Sequence, residues 1–257
     1  MLSNSPIYDA ALIGLCISSV VLNCYALYLI IYITPQAMKD FRHCLCMLSI
    51  FDALFALFIG IVLIVSFTPP ALAGVIRGPV IMFFYRNFGY NCCKGLVCVA
   101  FVSVCAILYF QNVAMRIRYL TINPNKKCYE WYNSKIGFTF VYTSGFVVSS
   151  VVGGSIYLHI FDEKDIPSML ATYPNSKTVF FDFIPGENIL MAADPASPMC
   201  FFIIGFVSLC VLYVEINSYA MFFMARRLLR KHAANFSKQM FDLQQQFLYL
   251  VMIQVLL

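Results

Sequence analysis

Hydrophobic and polar positions in this chain alternate on the scale of whole segments. Ala10–Ile33 runs 24 residues without a charge, and Cys44–Phe67 runs another 24 with one, Asp52. Gly95–Met115 gives 21 uncharged residues, Ile136–Phe161 is equally apolar, and Met199–Ala225 is charged only at Glu215. A bilayer's hydrocarbon core is about 30 Å thick, and about 20 apolar residues at 1.5 Å each span it. The pattern therefore predicts five complete transmembrane helices, over 10–33, 44–67, 95–115, 136–161 and 199–225. A sixth segment opens near Ser237, a good N-cap. Its apolar part, Phe247–Leu257, covers about 16 Å, so a partial helix is expected over 243–257. The chain is read as one transmembrane domain, 1–257, in an all-α membrane bundle.

Proline and glycine punctuate the spans. Thr34-Pro35 ends the first and Thr68-Pro69-Pro70 the second, because proline disfavours helix at the residue before it. In 68–94, Gly74, Gly78 and Pro79 break any long helix, which predicts a loop lying along the membrane surface. The loop 162–198 holds six acids and five prolines, so long regular helix is not expected there. Gly145, Ser149 and Gly153 recur every four residues in the fourth span, a small-residue ridge that lets another helix approach closely.

Composition narrows the class. The chain is 61% hydrophobic and 11% charged, with a mean hydropathy of +0.81, whereas soluble domains are roughly 25% charged. The net charge of +5 belongs to the membrane's two sides and is no nucleic-acid signal. The links 34–43, 116–135 and 226–242 hold 12 Lys and Arg, and the links 68–94 and 162–198 hold five. By the positive-inside rule the first set is cytoplasmic and the N-terminus outside. The first apolar run is far longer than a signal peptide's core, so it is read as a retained helix. Most of the 11 cysteines lie in apolar runs, where they behave as small hydrophobes. The exceptions of interest are Cys92 and Cys93 before the third span and Cys200 at the opening of the fifth, candidates for an extracellular disulfide. The sequon Asn235-Phe236-Ser237 falls on the cytoplasmic side, so no glycan is expected.

The polar residues inside the spans carry the remaining chemistry. Asp52, Asn23 and Glu215 sit roughly 12, 15 and 13 Å from the cytoplasmic ends of their helices at the usual rise. The first two spans are joined by a short link and are expected to be neighbours, so an Asn23–Asp52 hydrogen bond is natural. Two readings stay open. The pair is a structural device, or it belongs with Glu215 to a hydrated polar centre that rearranges on activation. The basic ends of the third and fifth spans, Arg116, Arg118, Arg226, Arg227, Arg230 and Lys231, set topology or form a docking surface for an acidic partner. No Ser–His–Asp set, phosphate loop, cofactor motif or metal-ligand cluster is evident, so no enzyme, cofactor or metal is expected.

The residues also carry a resemblance. Asp52 followed by Pro69-Pro70-Ala71-Leu72-Ala73-Gly74 and Gly78 resembles the exit of the second helix in the nematode serpentine chemoreceptors, class H and its relatives. Phe110-Gln111-Asn112 resembles their Phe-Glu-Asn-Arg stretch, although Gln111 replaces the acid and Val113 the arginine. Ser237, Leu243-Gln244, Phe247-Leu248 and Ile253-Gln254 resemble the start of their sixth helix. The resemblance implies a seven-helix G-protein-coupled receptor for small environmental molecules, multi-pass in the plasma membrane of sensory-neuron cilia. It implies a ligand pocket between the outer halves of the third, fifth and sixth helices, with Cys98, Phe101, Val102, Cys105, Phe202 and Phe206 as the residues expected to line it. Gln111 and Asn112 join the basic residues on the face toward a heterotrimeric G protein. The partners so implied are lipid, a small ligand and that G protein. It also implies that the family pattern is cut within its sixth helix, so a non-signalling truncated product is one alternative and a fragment of a polytopic transporter another.

Orientation is directly testable. With native thiols blocked, Ser176→Cys is expected to react with an impermeant thiol reagent on intact cells and Asn125→Cys only after permeabilisation. The reverse pattern would invert the topology.

Overall fold

A computed structural model describes residues 6–33, 39–67, 73–172, 184, 187–193, 198–232 and parts of 241–249. The partial sixth helix lies mostly outside these residues, as do Ser176 and the sequon at Asn235. The chain divides into two compact units. One comprises Met1–Tyr25, Ile50–Val104 and Ser149–Gly205, and the other Ala26–Ser49, Cys105–Val148 and Phe206–Leu257.

Among the described residues, five helices are long and apolar enough to cross a membrane: Ile7–Tyr32, Arg42–Val62, Tyr90–Ile122, Lys135–His159 and Gly205–Lys231. The all-α membrane class is thus borne out. The elements are α1 (Pro6–Tyr32), α2 (Lys39–Leu57), α3 (Pro79–Phe88), α4 (Tyr90–Ile122), α5 (Lys127–Asn133), α6 (Lys135–His159), α7 (Ile166–Thr172) and α8 (Pro198–Lys231). Three strands join them: β1 (Ile64–Phe67), β2 (Ala73–Arg77) and β3 (Ile189–Ala192).

The second span departs from expectation at its end. After Leu57 it widens into a π turn, Phe58–Val62, where the Leu63 N–H reaches back five residues to the Phe58 carbonyl at 2.7 Å. A run of Val62, Leu63, Ile64 and Val65 is rich in β-branched side chains that fit a pleated sheet better than a helix. The chain accordingly leaves the helix as β1. β1 pairs antiparallel with β2 in the register Ile64↔Arg77 to Phe67↔Gly74. β2 pairs on its other edge with β3, Ala73↔Ala192 to Ile76↔Ile189. The expected surface loop over 68–94 is therefore largely ordered. It contains β2 and then α3, which starts with a proline in its first turn and ends before α4.

The two junctions depend on glycine. Gly78 and Gly89 hold φ of +123° and +79°, a region side chains with a Cβ rarely enter. Gly78 turns β2 into α3, and Gly89 lets α4 begin at Tyr90 on a new axis. α4 is longer than the uncharged run because Lys94, Arg116 and Arg118 all lie within it. It stops at Ile122, just before Asn123-Pro124, where proline prevents continuation.

In the sheet-bearing unit the core is formed by Leu63, Val75, Ile76, Ile81, Cys93 and Leu190, all nearly without exposure. Gly60 in the π turn lies so close to α1 that a Cβ there would overlap the Cβ and Sγ of Cys16. The Arg77 guanidinium donates to the Asp9 carboxylate at 2.8 Å, tying the start of α1 to the end of β2. The second unit packs around fully buried Phe110 and Cys44. The Cys44 thiol donates to the Phe110 carbonyl at 3.4 Å, and Phe110 faces Tyr142 and Phe146 with ring centroids 5.3 and 6.4 Å away.

The small-residue ridge of α6 packs on α4 as expected. In the second unit, a Cβ on Gly145 would come within 2.7 Å of the Tyr109 ring. In the sheet-bearing unit, a Cβ on Gly153 would overlap the Val102 side chain, and Ser149 is fully buried. Gly154, one residue on, has nothing within 4 Å of the same construction. Gly145→Leu is therefore expected to destabilise the fold by about 1–3 kcal/mol, the usual cost of overpacking. Gly154→Leu is expected to be near neutral. Thermal melts of the two variants side by side measure the difference.

Candidate functional site

A mostly apolar cavity of about 380 Å³ lies in the sheet-bearing unit. Ile59 and Leu63 reach it from the π turn and its exit. Val65, Ala73, Gly74 and Ile76 form one wall from β1 and β2, with Met191, Ala192 and Ala193 from β3 and its end. Val97, Ala100 and Phe101 of α4 and Ile156 and Ile160 near the end of α6 close the opposite side. Each element is there for a reason already given: the β-branched run after Val62 makes the sheet, and the α6 ridge holds α6 against α4. Ile160 also makes an isolated bridge to Ala193, and the Phe161 N–H donates to the Ala192 carbonyl at 2.8 Å, which seats β3 on α6.

Of the six residues expected to line a pocket, only Phe101 lines this cavity. It is 42% exposed, so it also reaches the surface and marks an opening. Cys98 and Val102 instead pack against Gly153: the Cys98 carbonyl lies 3.4 Å from where a Cβ would stand. Phe202 and Phe206 are 66% and 46% exposed on α8. Cys105 falls in the second unit. The described residues hold an apolar space between α4, α6 and the sheet. Sequence reasoning missed it because the sheet itself was missed, although the Val62–Val65 run was a legible signal.

The expected Asn23–Asp52 hydrogen bond is not formed. The Asn23 amide donates to the Ser19 carbonyl at 3.0 Å and the Ser19 hydroxyl at 3.4 Å. A short polar side chain in a helix finds the acceptor one turn back without ordering a second element. Asp52 is half-buried on α2, and its carboxylate has no side-chain hydrogen bond among the described residues. Glu215 is half-buried on α8, in the second unit.

A polar network appears instead beside α3 and the start of α4. Lys94 is 4% exposed. Its ammonium lies 3.4 Å from the Asp162 carboxylate and 4.8 Å from the centre of the Tyr157 ring. The Tyr85 hydroxyl donates to the Glu163 carboxylate. An open cleft of about 540 Å³ runs past Tyr90, Asn91, Asp162, Glu163 and Lys164. Cys92 and Cys93 are free thiols here, and Cys93 is buried with its Sγ 3.7 Å from the Ile81 carbonyl. The side chain of Cys200, the third member of the expected disulfide set, lies outside the described residues.

In the second unit the residues expected to face a G protein divide into two groups. Gln111, Asn112 and Arg118 are 6%, 8% and 4% exposed, and Arg118 donates to Gln244 at 3.4 Å. Arg116 donates to the Tyr213 hydroxyl at 2.9 Å, and Arg226 lies over the Tyr249 ring at 5.8 Å. Arg227, Arg230 and Lys231 are exposed at the end of α8. The sequence could not separate the groups because the cover comes from residues far along the chain, Tyr213 and Gln244.

Five helices long and apolar enough to cross a membrane are the mark of a polytopic membrane protein. A family model described as serpentine type 7TM GPCR chemoreceptor Srh matches residues 5–257, and the chain belongs to that family. This agrees with the resemblance noted from the residues and is a receptor family, not an enzyme family. No curated protein matches the chain.

The Tyr85–Glu163 bond has a pH signature. Accepting the phenol proton's hydrogen bond, Glu163 raises the Tyr85 pKa above its ordinary value near 10, with burial adding to the rise. A folded-state pKa above the unfolded one gives stability that is present at neutral pH and lost as pH climbs through the folded value. The wild-type chain is expected to lose melting temperature above about pH 10 more steeply than Tyr85→Phe. Identical alkaline slopes would remove the bond from the account.

Proposed function

We propose that this chain is a chemosensory G-protein-coupled receptor for small environmental molecules, held in the plasma membrane with its N-terminus outside. The match to the chemoreceptor family over residues 5–257 carries the reading. The geometry supports its division of labour. The sheet-bearing unit offers a space of ligand size, and the second unit offers a cationic helix end. Arg227, Arg230 and Lys231 are the groups available to an acidic G-protein surface in the arrangement seen. Arg118 donates to Gln244 in that arrangement and becomes available when this contact opens. Ligand binding shifts the population toward such an arrangement to the extent that the ligand prefers it. On this reading the receptor works in sensory-neuron cilia. Asp52, half-buried and with no side-chain hydrogen bond to its carboxylate among the described residues, remains the polar centre whose surroundings change on activation.

Charge reversal tests the docking face. Arg227→Glu combined with Arg230→Glu is expected to weaken binding of a purified heterotrimeric G protein to membranes carrying the chain at least tenfold, while the melting temperature holds. Unchanged binding would remove the end of α8 from the docking surface.

A further inference from the structure

We propose that the cavity between α4, α6 and the sheet is a binding site for an uncharged, apolar small molecule. The site is distinct from the pocket that the sequence suggests between the third, fifth and sixth helices. The receptor reading gives the site its role in signalling, but the binding itself stands on geometry alone.

Size comes first. The cavity holds about 380 Å³, within the range of small-molecule sites. Protein interiors pack to crystal density, and an unfilled hole forfeits the contacts its walls would make. This space exists because small residues stand where larger ones would close it: Ala73 and Gly74 on β2, Ala100 on α4, Ala192 and Ala193 at β3.

The walls define the chemistry. Every lining side chain is aliphatic or aromatic, a thioether, or absent. The backbone has little to offer a guest, because β2 is the middle strand and is paired along both edges. The nearest cation along α4, Lys94, is turned to Asp162 and the Tyr157 ring. Neither it nor any carboxylate belongs to the wall. A charged guest would be stripped of water with no partner, which is far costlier than burying hydrocarbon. Met191 adds a flexible, polarizable wall that fits differently shaped guests. Phe101, which both lines the cavity and reaches the surface, stands at the entrance.

The acyl chain of a membrane lipid shares this chemistry. It is distinguished by saturation, since a site that takes acyl chains is already full in a bilayer.

The test uses the full chain in lipid nanodiscs with the photolabel 3-trifluoromethyl-3-phenyldiazirine, and maps the adducts by mass spectrometry. Adducts are expected within 59–65, 97–101 and 191–193, and excess toluene is expected to reduce them at least tenfold. Adducts on the exposed side chains Val148 and Val151 of α6 report simple partitioning and are expected to be unaffected. Octanoate and octylammonium, at the same free concentration as toluene, are expected to compete at least tenfold less well. Ala100→Phe is expected to abolish the competed fraction, and Ala192→Leu to reduce it. The wild-type competition alone decides the matter if either variant fails to fold. Cavity adducts that toluene leaves unchanged would overturn the site in favour of lipid or no occupant, and equal competition by octanoate would overturn the ligand class. Competed labelling without any change in G-protein exchange would leave the site standing and count against the receptor reading.

Discussion

A backbone that leaves a helix near a membrane must pair its N–H and C=O groups with something other than lipid. That constraint shapes the sheet-bearing unit. The second span stops being helical at Leu57, passes through a π turn and emerges as β1, whose polar groups would be stranded without β2. β2 in turn draws in β3 from a loop more than a hundred residues later in the chain. The three strands together satisfy one another, and their apolar side chains become the wall of the cavity. The cavity is thus a by-product of how the exit of the second span is paired.

Much of this architecture is legible in the residues. The spans follow from uninterrupted apolar length, and the α6 ridge from the spacing of Gly145, Ser149 and Gly153. Helix ends were less legible, because charge is a poor guide to them. Lys94 and Arg118 both sit inside α4, each in contact with a group the sequence does not place beside it, Asp162 and Gln244. The sheet was hidden for a related reason. Ile64–Phe67 is apolar enough to extend a span, and only its β-branching, with a partner strand of similar character, separates strand from helix. Asn23 and Asp52 show the limit of reasoning from depth alone: similar depth permits a bond, but Ser19, one turn away on the same helix, is the nearer acceptor.

The two units divide the chemistry between them. One concentrates hydrocarbon around a small empty volume and keeps the ion pairs Lys94–Asp162 and Arg77–Asp9 off its wall. The other stacks aromatic rings around Phe110 and ends in exposed cations on α8. The proposed uncharged guest belongs to the first environment and the proposed acidic docking partner to the second. Membership of the chemoreceptor family gives both a common purpose without requiring any catalytic group.

The π turn at Phe58–Val62 carries one residue more than an α-helix of the same rise would need. Losing a residue where no such turn absorbs the change, as at Leu63 just after it, would shift β1 by one position. In the strand that follows, a shift of one residue exchanges the two faces, so Val65 would leave the cavity wall and Ile64 would enter it. The pairing with Gly74–Arg77 would slip in step. This segment is therefore far more sensitive to its length than to its composition: one apolar residue can replace another, but a deletion of one codon would redraw the binding site.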